Sequence, residues 1–483
     1  MALNTSRLSS LLFLSTCLTA WGDADVLKPT WETQRHARTY VLTIPGPRGQ
    51  ISDRHGEPLA QTRVCHQLAL NFPTGVEWSD AKVLAFAEEQ IARARELTGR
   101  DIRVAPEAII KHYRNRGVLP MDIAGDLSPR EVETIRNHGG SGLTTRGIYL
   151  RTYPHGSLAA HILGYATREG RQLDSVLQNF DPLWPDAKGR EGLEATFDEQ
   201  LTGKPGQLTV NVDAQGRKAP EQVTVPPEAG YNVITTLDVK IQTICEKALA
   251  EGSKRGAIVV MDPNTGDILA MASWPTFDPN QFIPAPTEEF YNGLLNNKDH
   301  PLIPRPYRAM YPPGSVFKVI TGIGALSTGK ITPETEMPGP ASLQVGNIVM
   351  RNWKKTDAGM LNYAQALEQS CNTWFYQMGL RVGAKPLIEA AERFGFGVKT
   401  GIPLRAEAEG RIPDNDYLRK TQGRNLSGGD IANMSIGQGG LLVTPLQVAQ
   451  AMTIIANGGT FYQPRLVQQV QNIDGQVVIG YPI

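Results

Sequence analysis

Two prolines and a glycine, Pro312-Pro313-Gly314, stand directly ahead of a run to Leu326 that is apolar on nearly every face. Proline presets φ and lacks an amide donor, so it ends an extended segment and suits the first turn of a helix. The run behind it predicts a helix over 315–326 that is buried all round. Such a helix must sit at the centre of a sizeable domain, and the 483 residues exceed what one core accommodates, because single cores stop growing at roughly 250–300 residues. Two or more domains are expected. Lys+Arg 48 balances Asp+Glu 48 for a formal net charge of +0, which leaves no global field to attract nucleic acid or an anionic membrane surface. A mean hydropathy of −0.27 fits a soluble globular body and excludes a polytopic membrane protein.

Outside the first two dozen residues no apolar run approaches the ~20 residues that span a bilayer. Arg7, the apolar stretch 8–20 and Gly22-Asp23-Ala24 have the shape of a secretory signal or a short membrane anchor over residues 1–24. Cys17 follows Thr16, a poor residue ahead of a lipidated cysteine. Cys65, Cys245 and Cys371 are far apart, without CxxC or a histidine at metal spacing, and read as small buried side chains.

Residues 41–225 are rich in Gly, Pro, Arg and short β-prone runs around one charged helical stretch at 81–97, an extended mixed α+β module. A second pattern fills 231–483. It begins with a strand-like NVITTLD and an amphipathic helix at 239–249, then two apolar strand candidates around Asn264-Thr265-Gly266, where Asn and Gly accept the positive φ of a hairpin turn. Helices are expected at 315–326, 363–380, 384–394 and 445–456.

Ser315 and Lys318 lie three apart at the start of the first of these helices, so they share a face and bring an amine beside a hydroxyl. A serine hydroxyl is a weak nucleophile, and a lysine takes its proton only if burial lowers the amine from its reference near 10.4. Ser-x-x-Lys also occurs at Ser79 with Lys82 and Ser327 with Lys330, which read as surface or helix-ending positions. Ser370-Cys371-Asn372, 55 residues after Ser315, offers a hydroxyl for proton relay and an amide for a peptide group, although Ser and Asn together more often form an ordinary turn or cap.

A Ser-x-x-Lys followed at this distance by Ser-x-Asn resembles the serine acyl-transferases that include penicillin-binding proteins and class A β-lactamases. From about Pro47 onward the chain resembles class B penicillin-binding proteins, most of all the elongation-type penicillin-binding protein 2 branch. Arg48-Gly49-Gln50-Ile51, Asp53-Arg54-His55-Gly56 and Leu59-Ala60 resemble the opening of the family's N-terminal pedestal. Arg151-Thr152-Tyr153-Pro154 with His161 and Gly164-Tyr165, and Gly189-Arg190-Glu191-Gly192-Leu193-Glu194, resemble its later signatures, for which a structural role is expected. Asp262-Pro263-Asn264-Thr265-Gly266, Phe277-Asp278-Pro279-Asn280, Gly437-Gln438-Gly439 and Thr444-Pro445 resemble the transpeptidase module.

The resemblance implies a multidomain α+β protein: an extended pedestal of dimerisation type over 41–225, then a penicillin-binding, β-lactamase-like α/β transpeptidase domain over 231–483. The family's third element, a Lys-Thr-Gly or Lys-Ser-Gly on the strand beside the nucleophile, is not assigned to Lys399-Thr400-Gly401. Those residues follow the Gly-stopped Phe394-Gly395-Phe396-Gly397 and precede Ile402-Pro403, where proline removes a ladder donor. The true element belongs after Tyr462-Gln463-Pro464-Arg465-Leu466-Val467, and the sequence stops at Ile483. The domain is therefore expected to be incomplete at its C-terminus, with an open sheet edge, either as a truncated or frameshifted product or as a reduced homologue.

For function the resemblance implies a serine-type D,D-transpeptidase facing outward from the bacterial inner membrane, or exported if the N-terminus is cleaved. Ser315 would be acylated by a peptidoglycan stem peptide and Lys318 would take its proton. Ser370 would pass a proton to the leaving amine, and Asn372 would orient the substrate amide. β-Lactams would trap Ser315, a membrane glycan polymerase would be the partner, and no metal, organic cofactor or nucleic acid is called for. Two rivals remain: a β-lactamase or penicillin sensor, disfavoured by the long N-terminal module, and a non-catalytic scaffold of the elongation machinery, favoured by the missing third element.

Overall fold

The computed structural model describes residues 37–169, 175–283 and 285–483. The expected signal or anchor at 1–24, and Cys17 within it, lie outside the described residues, and none of the described helices is long and apolar enough to cross a membrane.

The N-terminal module is built on one long strand, Pro58–Leu70, which pairs antiparallel with Leu143–Thr152 and, at its far end, with Met121–Ala124. Helices Asp80–Thr98, Pro106–Arg116 and Pro129–His138 cover this end through a core containing Val83, Ala87, Ile91, Ile109 and Ile135. Their limits follow local chemistry. The stretch predicted at 81–97 runs one residue further each way and stops at Gly99, whose φ of 70° suits glycine. Helix Pro129–His138 starts on a capping box between Ser128 and Glu131. A separate three-stranded sheet sets Arg38–Ile44 beside Gly206–Val212 and then Gln222–Val225.

In the second module Asp238 caps helix Val239–Gly252 by accepting from the amides of Lys240 and Ile241. The expected hairpin forms from Gly256–Met261 and Ile268–Trp274. Its turn differs from the expectation: Gly266 alone of the pair takes a positive φ, of 76°. Asn264 instead donates its amide to the Asp262 carboxylate at 2.8 Å, so an Asp side chain, not a left-handed Asn, shapes the bend. Val259 and Met261 of the first strand pack on the main core, and Ile258 and Val260 pack under helix Val239–Gly252. Both faces of this strand are thus covered, yet among the described residues only Ile268–Trp274 pairs with it, and its other edge is open.

A shared core joins the modules. Strand Asn232–Thr235 pairs parallel with Ile51–Ser52 and antiparallel with Val467–Gln471, which continues into Val477–Gly480. Ile51, Leu163 and Leu193 of the first module and Met271, Leu446 and Leu466 of the second belong to one buried cluster. Beside it Glu194, with no exposed side chain, accepts from the Arg48 Nε and the Arg151 Nε at 2.6 Å each and from the Tyr153 hydroxyl at 3.1 Å. Burial alone would raise this carboxyl, but the pull of Arg151 and Arg48 outweighs it and holds the group below the usual carboxylate range. The pedestal signatures that carry these residues therefore meet as one buried ionic cluster.

Removing the charge in Glu194→Gln takes the carboxylate from the buried Arg151 guanidinium and leaves Arg48 with Asp198 alone, and breaking a buried pair from one side costs about 3–5 kcal/mol. Urea unfolding followed by circular dichroism should show a lowered midpoint of that size at neutral pH. The wild-type advantage should shrink as pH falls through the depressed carboxyl pKa, because protonation then removes the same charge.

Candidate active site

The helix predicted at 315–326 opens as a 3-10 turn, Gly314–Phe317, and becomes an α-helix only at Lys318–Leu326. Nor is it buried all round: Ser315 and Val316 face outward and Ile323 is 38% exposed, while Phe317, Lys318, Ile320 and Thr321 point inward. The seat of the turn is tight. Gly314, at φ 61°, donates its amide to the Gly437 carbonyl at 2.9 Å, and a Cβ on Gly437 would lie 2.2 Å from the Gly314 carbonyl oxygen. Only glycine at 437 lets the two loops touch, which gives Gly437-Gln438-Gly439 a physical role beside Ser315.

The single helix expected at 363–380 is two, Tyr363–Glu368 and Asn372–Val382. Between them Ser370 takes a φ of 50°, a left-handed conformation that costs a non-glycine residue about 1–2 kcal/mol. The break has a tertiary cause. Lys318, wholly buried, donates from Nζ to the Ser370 carbonyl at 2.8 Å, the Ser370 hydroxyl at 3.0 Å and the Asn372 Oδ1 at 2.7 Å. The Phe375 ring centroid lies 5.3 Å from the same nitrogen. Three donors meeting three acceptors satisfy the ammonium, and that holds the loop out of the helix.

All four predicted residues come together, but not as spacing alone suggests. Ser370 stands between the other two hydroxyl and amine groups: its Oγ lies 2.9 Å from the Ser315 Oγ and hydrogen-bonds Lys318 on its other side. Among the described hydrogen bonds none joins the Lys318 Nζ to the Ser315 Oγ directly; the two residues meet only through the Lys318 backbone amide, which donates to the Ser315 carbonyl. Burial pushes the Lys318 amine down to about 8, with a small opposing pull from Cys371. The Asn372 Nδ2 has no hydrogen-bond partner among the described residues and is free to donate to a bound carbonyl.

Two neighbours passed over by the sequence reading also touch this loop. The Asn352 Oδ1 accepts from the Asn372 amide at 3.0 Å, and the Trp353 Nε1 donates to the Gln369 carbonyl at 3.1 Å. No periodicity or spacing flags them; only the contact does. Lys399-Thr400-Gly401 lies outside any helix or strand, with the Thr400 and Gly401 amides donating to Glu407 and Lys399 3.8 Å from Glu409. None of their described hydrogen bonds reaches the four clustered residues. Ser79 precedes helix Asp80–Thr98 without a side-chain cap hydrogen bond, and Ser327 ends Lys318–Leu326, as surface and helix-ending positions.

The arrangement can move a proton from an outward hydroxyl through a second hydroxyl to an amine poised near neutral pH, with an amide donor alongside, which is acyl-transfer equipment. Residues 43–235 match the penicillin-binding protein dimerisation domain, and residues 256–480 match the penicillin binding protein transpeptidase domain. The chain is 33% identical over 451 residues to the peptidoglycan D,D-transpeptidase MrdA of Escherichia coli (strain K12), covering 91% of this chain and 69% of that protein. Its fold is similar to that of the penicillin-binding protein PBP2 in the complex with MreC from Helicobacter pylori, with TM-score 0.70 and 26% identity over 90% of this chain and 81% of that one. It is also similar to a chain of a peptidoglycan synthase complex that coordinates polymerization and crosslinking, with TM-score 0.71 and 31% identity over 92% and 74%. With both domains matched in that order over most of its length, the chain belongs to the penicillin-binding protein family.

Proposed function

We propose that this chain is a serine-type peptidoglycan D,D-transpeptidase that cross-links stem peptides during cell-wall elongation, with Ser315 as its nucleophile. The observation that carries the reading is the hydrogen-bonded line from the Ser315 Oγ through the Ser370 Oγ to a buried Lys318 amine lowered to about 8. Neutral Lys318 takes the Ser315 proton by way of Ser370 as the Ser315 oxygen attacks the carbonyl of the penultimate D-alanine. The C–N bond to the terminal D-alanine breaks, and the proton is returned to the leaving amine. An amine of a neighbouring stem then attacks the ester, its proton passes to Lys318, and Ser315 is re-protonated as the new amide forms. Asn372 donates from Nδ2 to the substrate amide.

Residues 1–24 would hold or export the protein outside the inner membrane. A membrane glycan polymerase of the elongation machinery is the proposed partner, supported by the relatives solved in complex with MreC and in a peptidoglycan synthase.

Fluorescent penicillin tests the chemistry, because a β-lactam acylates the same hydroxyl. Ser315→Ala should remain folded and lose covalent labelling; labelling that persists would remove Ser315 as nucleophile. If the folded wild-type chain is never labelled, the scaffold reading takes over.

The labelling rate constant should rise about tenfold per pH unit below pH 8 and level off above it, since only the neutral amine accepts a proton. A rate flat from pH 6 to pH 9 would exclude Lys318 as the base.

A further inference from the structure

Ser370 is held from both sides by two adjacent residues of another segment. Asn372 is the first residue of helix Asn372–Val382, whose N-cap residue, Cys371, makes no side-chain cap hydrogen bond. The first amides of a helix have no acceptor within it and need one from elsewhere. Asn352 supplies it in trans: its Oδ1 accepts from the Asn372 amide at 3.0 Å, and its Nδ2 lies 3.6 Å from the Cys371 sulfur. On the other flank the Trp353 indole donates to the Gln369 carbonyl at 3.1 Å. The grip itself is fixed. The Asn352 amide donates to the Ala341 carbonyl at 2.9 Å, directly after the hairpin of Ser342–Val345 with Ile348–Arg351, whose Val345 and Met350 are buried in the core around Trp374. The Thr373 hydroxyl ties the helix back to the Pro340 carbonyl at 2.7 Å.

We propose that Asn352 and Trp353 form a clip that holds Ser370 and Asn372 in register with Lys318, and that Asn352 is thereby a positioning residue for acyl transfer. The inference rests on the transpeptidase reading of the site. A left-handed serine between two helices persists only where its surroundings over-determine it. Lys318 holds the loop from the inside and the clip holds it from the outside. Without the Asn352 acceptor, the Asn372 amide must find water, the helix start shifts, and the Lys318 amine loses the fixed place of one acceptor.

Three variants of the full chain separate positioning from plain stability. Asn352→Leu removes the acceptor, Asn352→Asp keeps it while placing a carboxylate near the Lys318 ammonium, and Trp353→Phe keeps the ring without its donor. Hydrogen exchange read by mass spectrometry on peptides covering 369–373 should speed up in Asn352→Leu and stay slow in Asn352→Asp. Fluorescent-penicillin acylation should slow about tenfold in Asn352→Leu, the scale of one lost positioning hydrogen bond, and less in Trp353→Phe. In Asn352→Asp the plateau rate should be retained, with the pH midpoint moved upward, because the added negative charge favours the protonated amine.

A cap that only adds stability would lower the melting temperature of Asn352→Leu and leave the acylation rate and pH midpoint of the folded protein unchanged, and that result would overturn the proposal. Unchanged exchange at 369–373 in Asn352→Leu would do the same. A wild-type chain that is never acylated would sink the transpeptidase reading and the catalytic consequence of the clip with it, while the exchange data would still decide whether the clip exists.

Discussion

A buried ammonium is the constraint on which this site depends. Removing a charge from water is unfavourable unless every donor is met, and a lysine has three. Lys318 finds all three acceptors in a single loop, the carbonyl and hydroxyl of Ser370 and the side chain of Asn372. The requirement works in both directions. The lysine needs the loop to be open, and the loop, with Ser370 at φ 50°, needs the lysine to stay so. Thr321 adds a second tie, from its hydroxyl to the Ser435 carbonyl at 2.9 Å, so the helix bearing Lys318 is anchored to helix Gly428–Ser435 as well.

The same logic of satisfied charge holds the two modules together. Arg48 and Arg151 meet on Glu194 next to a core drawn from both modules, and Arg48 also reaches Asp198 at 2.8 Å. A polar interface between modules would permit relative motion. Here the apolar cluster runs without a break from Ile51 and Leu193 to Leu446 and Leu466, and a strand of each module pairs with the other. The frame behind the candidate site is therefore continuous with the N-terminal module.

What the sequence disclosed was what local chemistry decides. Helix Pro445–Ala456 falls on the expected residues because Thr444 and Gln447 form a capping box and the glycines at 458 and 459 follow its end. Ser315, Lys318, Ser370 and Asn372 stand out in the sequence as a set, because either spacing alone is common and only a Ser-x-x-Lys followed at that distance by Ser-x-Asn resembles the serine acyl-transferases. The errors lie where distant residues decide. Apolar periodicity runs through 363–380, and the break at Ser370 depends on a lysine 52 residues earlier. The 3-10 turn at Ser315 answers to Gly437, and Asn352 becomes visible only when a hairpin brings it to a helix start 20 residues on. The parallel pairing of Ile51–Ser52 with Asn232–Thr235 joins segments more than 180 residues apart, beyond any local pattern.

The interposition of Ser370 follows from the hydrogen-bond inventory of the amine. When Lys318 carries three protons, all three acceptors are used, and the Ser370 hydroxyl, receiving one of them, directs its own proton to Ser315. When Lys318 is neutral it keeps two protons and gains a lone pair, which must face a donor. The Ser370 carbonyl and the Asn372 Oδ1 can only accept, so they retain the two protons, and the hydroxyl of Ser370 alone can turn its hydrogen toward nitrogen. That turn frees the Ser370 oxygen to accept from Ser315. Titration of one buried amine thus reverses the direction of the whole line, from pointing a proton at Ser315 to drawing one away. The spacing of Ser315 and Lys318 on a helix suggests a direct transfer; among the described residues the hydrogen-bonded line from the Lys318 amine to the outward hydroxyl runs through Ser370.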